Sequence, residues 1–435
     1  MKPKPVPQNP SPAPVYLASA AVSSLIQLLP LGTAYFIGIV LITMMTGRLV
    51  HTKGSLARAA LPFVVHLRWG WHRVERAMER GKLSLDLLFE TTYHWCLTNL
   101  EAQAVCLGPQ QREVFALDTS TIARWRADKS LALVGKAYYY RAGRAVRANI
   151  VAALTSVVMI QGIRCGLVRR TRFAVDCQQA VEQAFANLPK SDGKRLIVVD
   201  AGIATKERFA MTTDEDALMG RLRINGKLRA APPPRTGKKG RPFAHGAVLH
   251  PGSDAPELAP DEERQIASEK GEIRLRRWNG LHYQEHPETI LDVVRIDDPA
   301  YPRPLIVATT ARELSLEEFR IGYGHRSVVE TNFYVGQDSA AMEMPRAWMV
   351  SAIERRISMA LIAATLLKAI AARCEPLATG PWDRKPERTG GRLANHLDLH
   401  ATNFSALALK GVAPRNYRKN QSATNTKDLP LKEAA

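Results

Sequence analysis

Three carboxylates in this chain are of the right type and setting to hold divalent cations. Asp118 ends the apolar run Glu113-Val-Phe-Ala-Leu117, and Asp200 ends Arg195-Leu-Ile-Val-Val199. A buried strand that ends in an aspartate presents its carboxylate at a sheet edge. The third acid is Glu330, within Tyr323–Asp338, YGHRSVVETNFYVGQD. Ser315 and Glu318 form a capping-box pattern, which predicts a helix starting near Leu316. On one continuous helix, Tyr323, Arg326 and Glu330 stand at i, i+3 and i+7 and share a face. A phosphodiester is anionic, so attack on it needs charge neutralisation. Two divalent ions about 3.5–4 Å apart can supply that, and magnesium prefers carboxylate oxygen and water as ligands. Taken singly, each aspartate is an ordinary turn or cap residue. Their agreement with each other and with Glu330 gives the pattern its meaning.

The elements that must position these residues follow an α/β order. After the strand ending at Asp118 come two apolar, β-branched runs, Val146–Thr155 and Val157–Val168, with a bend or bulge expected at Gln161-Gly162. A helix is expected over Asp176–Leu188, then the strand ending at Asp200. A further strand, Pro304–Thr310, leads into the helix that carries Glu330. This is the layout of a mixed sheet with a ribonuclease-H-like core. Between Asp200 and Glu330 the chain holds a basic strand-like run, Met219–Leu228, and a Pro/Gly/Lys/Arg tract, Pro232–Pro242. Two more strand-like pieces, Glu272–Trp278 and Thr289–Ile296, make this a β-rich insertion. The expected division is a proline-rich, disordered segment at 1–15, a helical DNA-binding domain at 16–108 and a catalytic core at 109–212 and 304–375. The insertion occupies 213–303 and a basic tail 376–435.

Composition narrows the partner. The chain has 435 residues, 46% of them hydrophobic, and a formal net charge of +19, which points to a polyanion, most simply nucleic acid. Within the helical domain, Leu61–Arg80 mixes Trp, His and Arg, and residues 46–58 could form a short helix-turn-helix. Five cysteines without a CxxC pair argue for a reducing compartment and against a cysteine zinc site. Residues 5–47 carry no charge, yet Gly32–Thr46 is short for a span of about 20 residues. It is expected to be a buried helix of the N-terminal domain rather than a membrane span. The Gly237–Arg241 run lacks the GxxxxGK[ST] pattern, so no nucleotide cofactor is expected. Asp214–Asp216 and Asp297-Asp298 lack a preceding buried strand, and His325 is expected to be solvated.

The chain resembles the DDE transposases of bacterial insertion sequences, in the group with a Tyr-x2-Arg-x3-Glu-x6-Lys signature. Tyr323, Arg326 and Glu330 match it in type and spacing, and ALDTS around Asp118 and VVDAG around Asp200 are similar to the two Asp motifs. The resemblance covers about residues 110–372. It implies that Asp118, Asp200 and Glu330 hold two Mg2+ ions, for which Mn2+ could substitute, and that the enzyme nicks element ends and joins the 3′-hydroxyls to target DNA. Tyr323 and Arg326 would contact terminal phosphates, and Arg241 in the basic tract would contact DNA. Trp278 would stack a flipped base in members that form hairpin ends, although core packing is the commoner fate of such a residue. One position departs from the signature: Gln337 stands where the family carries lysine, and it brings hydrogen bonding without charge. The expected partners are double-stranded terminal repeats and target DNA, with a homodimer on paired ends and a cytoplasmic, nucleoid-associated location. The alternative is a catalytically weakened DNA-binding remnant acting as a regulator.

Overall fold

The computed structural model describes residues 13–64, 70–125, 132–189, 193–234 and 244–412, without the side chains of 64 and 70–72. The chain divides into two compact units, Met1–Leu100 with Tyr334–Ala435, and Glu101–Phe333. The first opens with α1 (Pro14–Ile26), α2 (Leu31–Met45), α3 (Arg48–His51), α4 (Leu56–Val64), α5 (Gly70–Arg80) and α6 (Leu85–Asn99). Pro14 starts α1, where a missing N–H costs nothing. The charge-free stretch becomes α1 and α2, and α2 is buried continuously from Phe36 to Met45, as a helix apolar all round must be. Among the described residues no helix is long and apolar enough to cross a membrane. The expected helix-turn-helix reduces to α3, a single turn, followed by α4.

The second unit begins with β1 (Gln103–Ala104), β2 (Cys106–Leu107), β3 (Arg112–Ala123), β4 (Gly135–Tyr139), β5 (Arg144–Ile160) and β6 (Ile163–Ala174). Next come α7 (Cys177–Ala186), β7 (Arg195–Val199), α8 (Lys206–Ala210) and β8 (Asp216–Arg221). Then follow β9 (Leu228–Arg229), β10 (Val248–Leu249), β11 (Glu262–Ser268), β12 (Gly271–Tyr283), β13 (His286–Asp297) and β14 (Leu305–Thr309). The unit closes with α9 (Leu316–Gly324) and with α10 (Ser327–Asp338), inside which the division between units falls. All strands join one mixed sheet whose main order is β6-β5-β3-β7-β8-β14-β13-β12. β3, β7 and β8 are parallel to one another, and the remaining pairs are antiparallel.

Three expectations are corrected here. The two apolar runs after Asp118 break at Gln161-Gly162, not near residue 156. Both turn residues have positive φ, 46° and 75°, the geometry of a two-residue hairpin loop. β5 therefore runs for 17 residues and pairs with β6 from Ile150 to Ile160. The insertion is not separate from the core sheet: β8 lies parallel to β7, and β14, β13 and β12 extend the same sheet. After α11 (Val350–Arg373), the polar stretch beyond residue 376 is partly helical, in α12 (Gly390–Leu399) and α13 (Ala401–Ala408). These three belong to the helical unit, so α11 is not part of the sheet-bearing one. Residues 1–12 and 413–435 lie outside the described residues.

Helices cover both faces of the sheet. Ala180, Val181 and Ala184 of α7 join Phe115, Leu117, Ile197 and Val199 in one buried cluster. Strand side chains alternate between faces. Ala116, Asp118 and Val198 thus point the other way, toward α9 and α10. α10 comes unusually near the sheet at Gly166. A Cβ there would meet Thr155 Cγ2 at 2.7 Å and both Val328 Cβ and Asn332 Nδ2 at 3.0 Å. The Gly166 carbonyl accepts from Asn332 Nδ2 at 3.1 Å, and Asn332 is fully buried. Gly166→Ala should displace α10 and destabilise the protein by about 1–3 kcal/mol, the usual range for overpacking. Urea denaturation would read this, and a midpoint equal to the wild type would show that α10 does not need the bare backbone.

Candidate active site

Parallel pairing of β3 with β7 sets Leu117 opposite Val199, so Asp118 and Asp200 follow side by side on adjacent strands. Asp118 is not at the end of its strand as expected. β3 continues to Ala123, and β5 pairs with it from Phe115 to Ala123, with Ala153 opposite Asp118. Asp200 does end β7. Its carbonyl accepts from the N–H groups of Ile203 and Ala204, which turns the chain away from the sheet.

The third side of the site comes from α9 and α10. The capping box forms as expected, with Ser315 Oγ accepting from Glu318 N and the Glu318 carboxylate accepting from Ser315 N. Glu318 also accepts from Gly108 N at 2.8 Å, tying the start of α9 to the segment before β3. The single continuous helix expected across Tyr323–Asp338 is instead two helices with a tight joint. At the joint, His325, Arg326, Val328 and Val329 donate to the carbonyls three residues back. Such i→i−3 bonding has three residues per turn, so Arg326 comes directly over Tyr323. Normal α-helix then sets Glu330 one turn beyond Arg326.

This geometry brings five predicted residues together. Tyr323 Oη donates to Asp200 Oδ1 at 3.3 Å. Arg326 Nη1 donates to Asp118 Oδ2 at 3.3 Å, and its Nη2 lies 2.6 Å from Glu330 Oε1. Asp118 also accepts from Thr119 N at 2.7 Å. The Asp118 and Arg326 side chains are each 19% exposed, and that of Glu330 is 49% exposed. Burial pushes the Asp118 carboxyl up to about 6; the Thr119 N–H and Arg326 oppose this, while Glu330 and Asp200 add to it. Burial also pushes the Tyr323 hydroxyl up to about 12, so it stays a hydrogen-bond donor at neutral pH. For Arg326, burial disfavours the charge, but Tyr323 and the three carboxylates outweigh it and hold the guanidinium more firmly protonated.

Crowded carboxylates of this kind supply hard oxygen donors, which suits magnesium. The raised Asp118 value reflects its burial first, with the charges of Glu330 and Asp200 adding to it. Among the described residues, no three His, Cys, Asp or Glu side chains lie close enough together to hold a metal ion as they stand. Arg326 lies between Asp118 and Glu330.

Other predicted residues fall elsewhere. Trp278 is 2% exposed, donates from Nε1 to the Leu258 carbonyl at 3.0 Å and belongs to the buried cluster that contains Phe115 and Leu117. It is a core residue and has no open ring face for a base. Its neighbours Arg276 and Arg277 are ion-paired with Asp297 and Asp292. Gln337 is half-buried near the end of α10 and falls in the helical unit. Arg241 lies outside the described residues. His325 is buried, not solvated: it is 6% exposed, its Nδ1 is 3.4 Å from Arg164 Nη1, and its Nε2 has no hydrogen-bond partner among the described residues. With Arg164 donating to Nδ1, the ring proton sits on Nε2. Sequence reasoning missed His325, Gly166 and Asn332 as positioning residues. A glycine inside an apolar, β-branched run was the one available signal.

Comparison with models of known protein families and with curated proteins finds no match.

Two outcomes are expected. Burial, and then Arg164, lowers the His325 pKa to about 4, below its usual value near 6.5. Below that usual value the unfolded chain takes up a proton that the fold refuses. Stability from this group is therefore complete above pH 6.5 and lost as pH falls toward 4, by up to about 3 kcal/mol. His325→Asn should flatten that segment of a stability-against-pH curve from urea midpoints; a curve as steep as the wild type would show that His325 is not buried neutral. Arg326→Ala leaves like charges uncompensated and should cost the chelator-treated protein about 2 kcal/mol. Adding Asp118→Asn should recover part of that loss in a double-mutant cycle, whereas strict additivity would mean that the two side chains do not interact.

Proposed function

We propose that this protein is a DDE-class DNA transposase that cuts the ends of an insertion sequence and joins the freed 3′-hydroxyls to target DNA. The observation that carries this reading is that Asp118 and Glu330 are both held by Arg326, and Asp200 by Tyr323, on one face of the sheet. The strand order β6-β5-β3-β7-β8, with only β3, β7 and β8 parallel, supports a ribonuclease-H-like core. The net charge of +19 supports a polyanionic substrate.

In this reading Asp118, Asp200 and Glu330 would hold two magnesium ions, which when bound activate a hydroxyl nucleophile and stabilise the leaving oxygen. The chain's own residues do the rest. β3 and β7 fix the two aspartates on adjacent rigid strands. Gly166 and Asn332 hold α10, and with it Glu330, close to the sheet. Arg326, once drawn off its carboxylates, can present two N–H groups to a phosphate. Tyr323 keeps its proton and can donate to the same group. Two such proteins would act on paired DNA ends without a nucleotide cofactor, at the nucleoid.

A second reading, a DNA-binding remnant that no longer cuts, is favoured by Gln337 at the lysine position and by the three carboxylates not converging as they stand. One assay separates the two. Wild-type protein with Mg2+ or Mn2+ should nick a plasmid that carries the DNA flanking this reading frame. Asp118→Asn and Glu330→Gln should each lower the rate at least about 100-fold while leaving DNA retention on a gel in place. Retention by wild type with no nicking in either metal would sink the enzyme and leave the remnant.

A further inference from the structure

Beside the carboxylates, and within the same unit, lies a cleft of about 630 Å³ lined by Arg164, Arg221, Arg303 and Arg320, with Tyr301 and Tyr323. The arginines come from four separate places in the chain: β6, the end of β8, the loop before β14, and α9. All four are exposed. Unlike Arg276, Arg277 and Arg295, none of the four has a carboxylate partner among the described residues. Among the described residues, Arg164 alone of the four is braced by another side chain, through its contact with buried His325. Arginines that a fold leaves unpaired around one cleft mark a site for a polyanion. Tyr301, 68% exposed, stands in a proline-rich loop at the wall of the cleft.

We propose that this cleft takes an unpaired stretch of a DNA strand beside the cutting site. The arginines grip its successive phosphates, and Tyr301 stacks a base. The inference rests on the DNA-cutting reading and adds the form in which the DNA is held. A space of this size matches a nucleotide-scale ligand, since small-molecule pockets run from about 300 to 1,000 Å³. Four cations spread along a cleft suit a chain of phosphates better than the single phosphate of a free nucleotide. An aromatic ring beside a phosphate-tracking groove is the arrangement that holds unpaired strands without regard to sequence.

The test compares a labelled blunt duplex with the same duplex carrying a four-nucleotide single-stranded overhang, by fluorescence anisotropy in EDTA. Wild type should bind the overhang DNA about tenfold more tightly. In Arg303→Ala/Arg320→Ala that preference should fall toward one. The slope of log affinity against log salt on overhang DNA should drop by about 1.4, near 0.7 per phosphate lost. Tyr301→Ala should weaken overhang binding about tenfold and leave the salt slope unchanged. Arg303→Lys/Arg320→Lys should keep most of the slope, which separates lost charge from misfolding. Equal affinity of wild type for the two DNAs, or an undiminished preference in the double alanine variant, would overturn the proposal. Because metal is absent, a failure of cutting does not bear on this readout. Nicking that persists while the preference is absent would sink the cleft alone.

Discussion

The site depends on one electrostatic constraint. Three carboxylates brought together repel, and the fold tolerates this because Arg326 reaches two of them and Tyr323 donates to the third. The compensation is incomplete, since one guanidinium faces three carboxylates, and burial of Asp118 adds to the cost by raising its pKa. Folding therefore maintains a region whose negative charge exceeds what the chain itself offsets. Stability alone would favour replacing one of these acids by an amide, so retaining all three costs free energy that packing elsewhere must offset. That packing is visible in the sheet. β5 and β7 are buried on both faces through most of their length, as β3 is from Val114 to Leu117, and that rigidity holds Asp118 and Asp200 next to each other.

The opposing wall is held by contacts of a different kind. α9 is fixed at its start by the capping box and by Glu318 reaching Gly108. α10 is fixed by close approach at Gly166 and by the Asn332 hydrogen bond. Burial of His325 at the joint between the helices sets Arg164 toward the cleft on one side and leaves Arg326 toward the carboxylates on the other. Few residues thus control where the functional side chains point, and none of these positioning residues bears a net charge at neutral pH except Glu318 and Arg164.

The sequence made the acids legible because each lies in a strong local pattern. Asp118 and Asp200 follow apolar β-branched runs, and Glu330 follows a capping box, so local periodicity was enough. What escaped was tertiary. A short strand such as β8 has no signature of its own; its place beside β7 comes from pairing over long sequence separation. Trp278 and His325 looked available because their neighbours are charged. Yet Arg276 and Arg277 turn to Asp297 and Asp292, and Trp278 turns inward with the sheet's alternation. The break between α9 and α10 was hidden because YGHRSVVE contains no proline, and i→i−3 bonding leaves no mark on composition. The arginine cleft was equally hidden, since its members are spread from residue 164 to residue 320.

That joint makes the Tyr–Arg–Glu spacing a question of angular phase. In an uninterrupted α-helix, three residues advance the chain by about 300°, which would leave Arg326 well off the line of Tyr323. In the tighter winding they advance it by about 360° and restore the line. Inserting or deleting one residue between Gly322 and Val329 would rotate all that follows by about 100° and swing Glu330 off the carboxylate face. The length of this segment is thus constrained more severely than most of its side chains. Exposed positions along it can drift in identity as long as the count is kept.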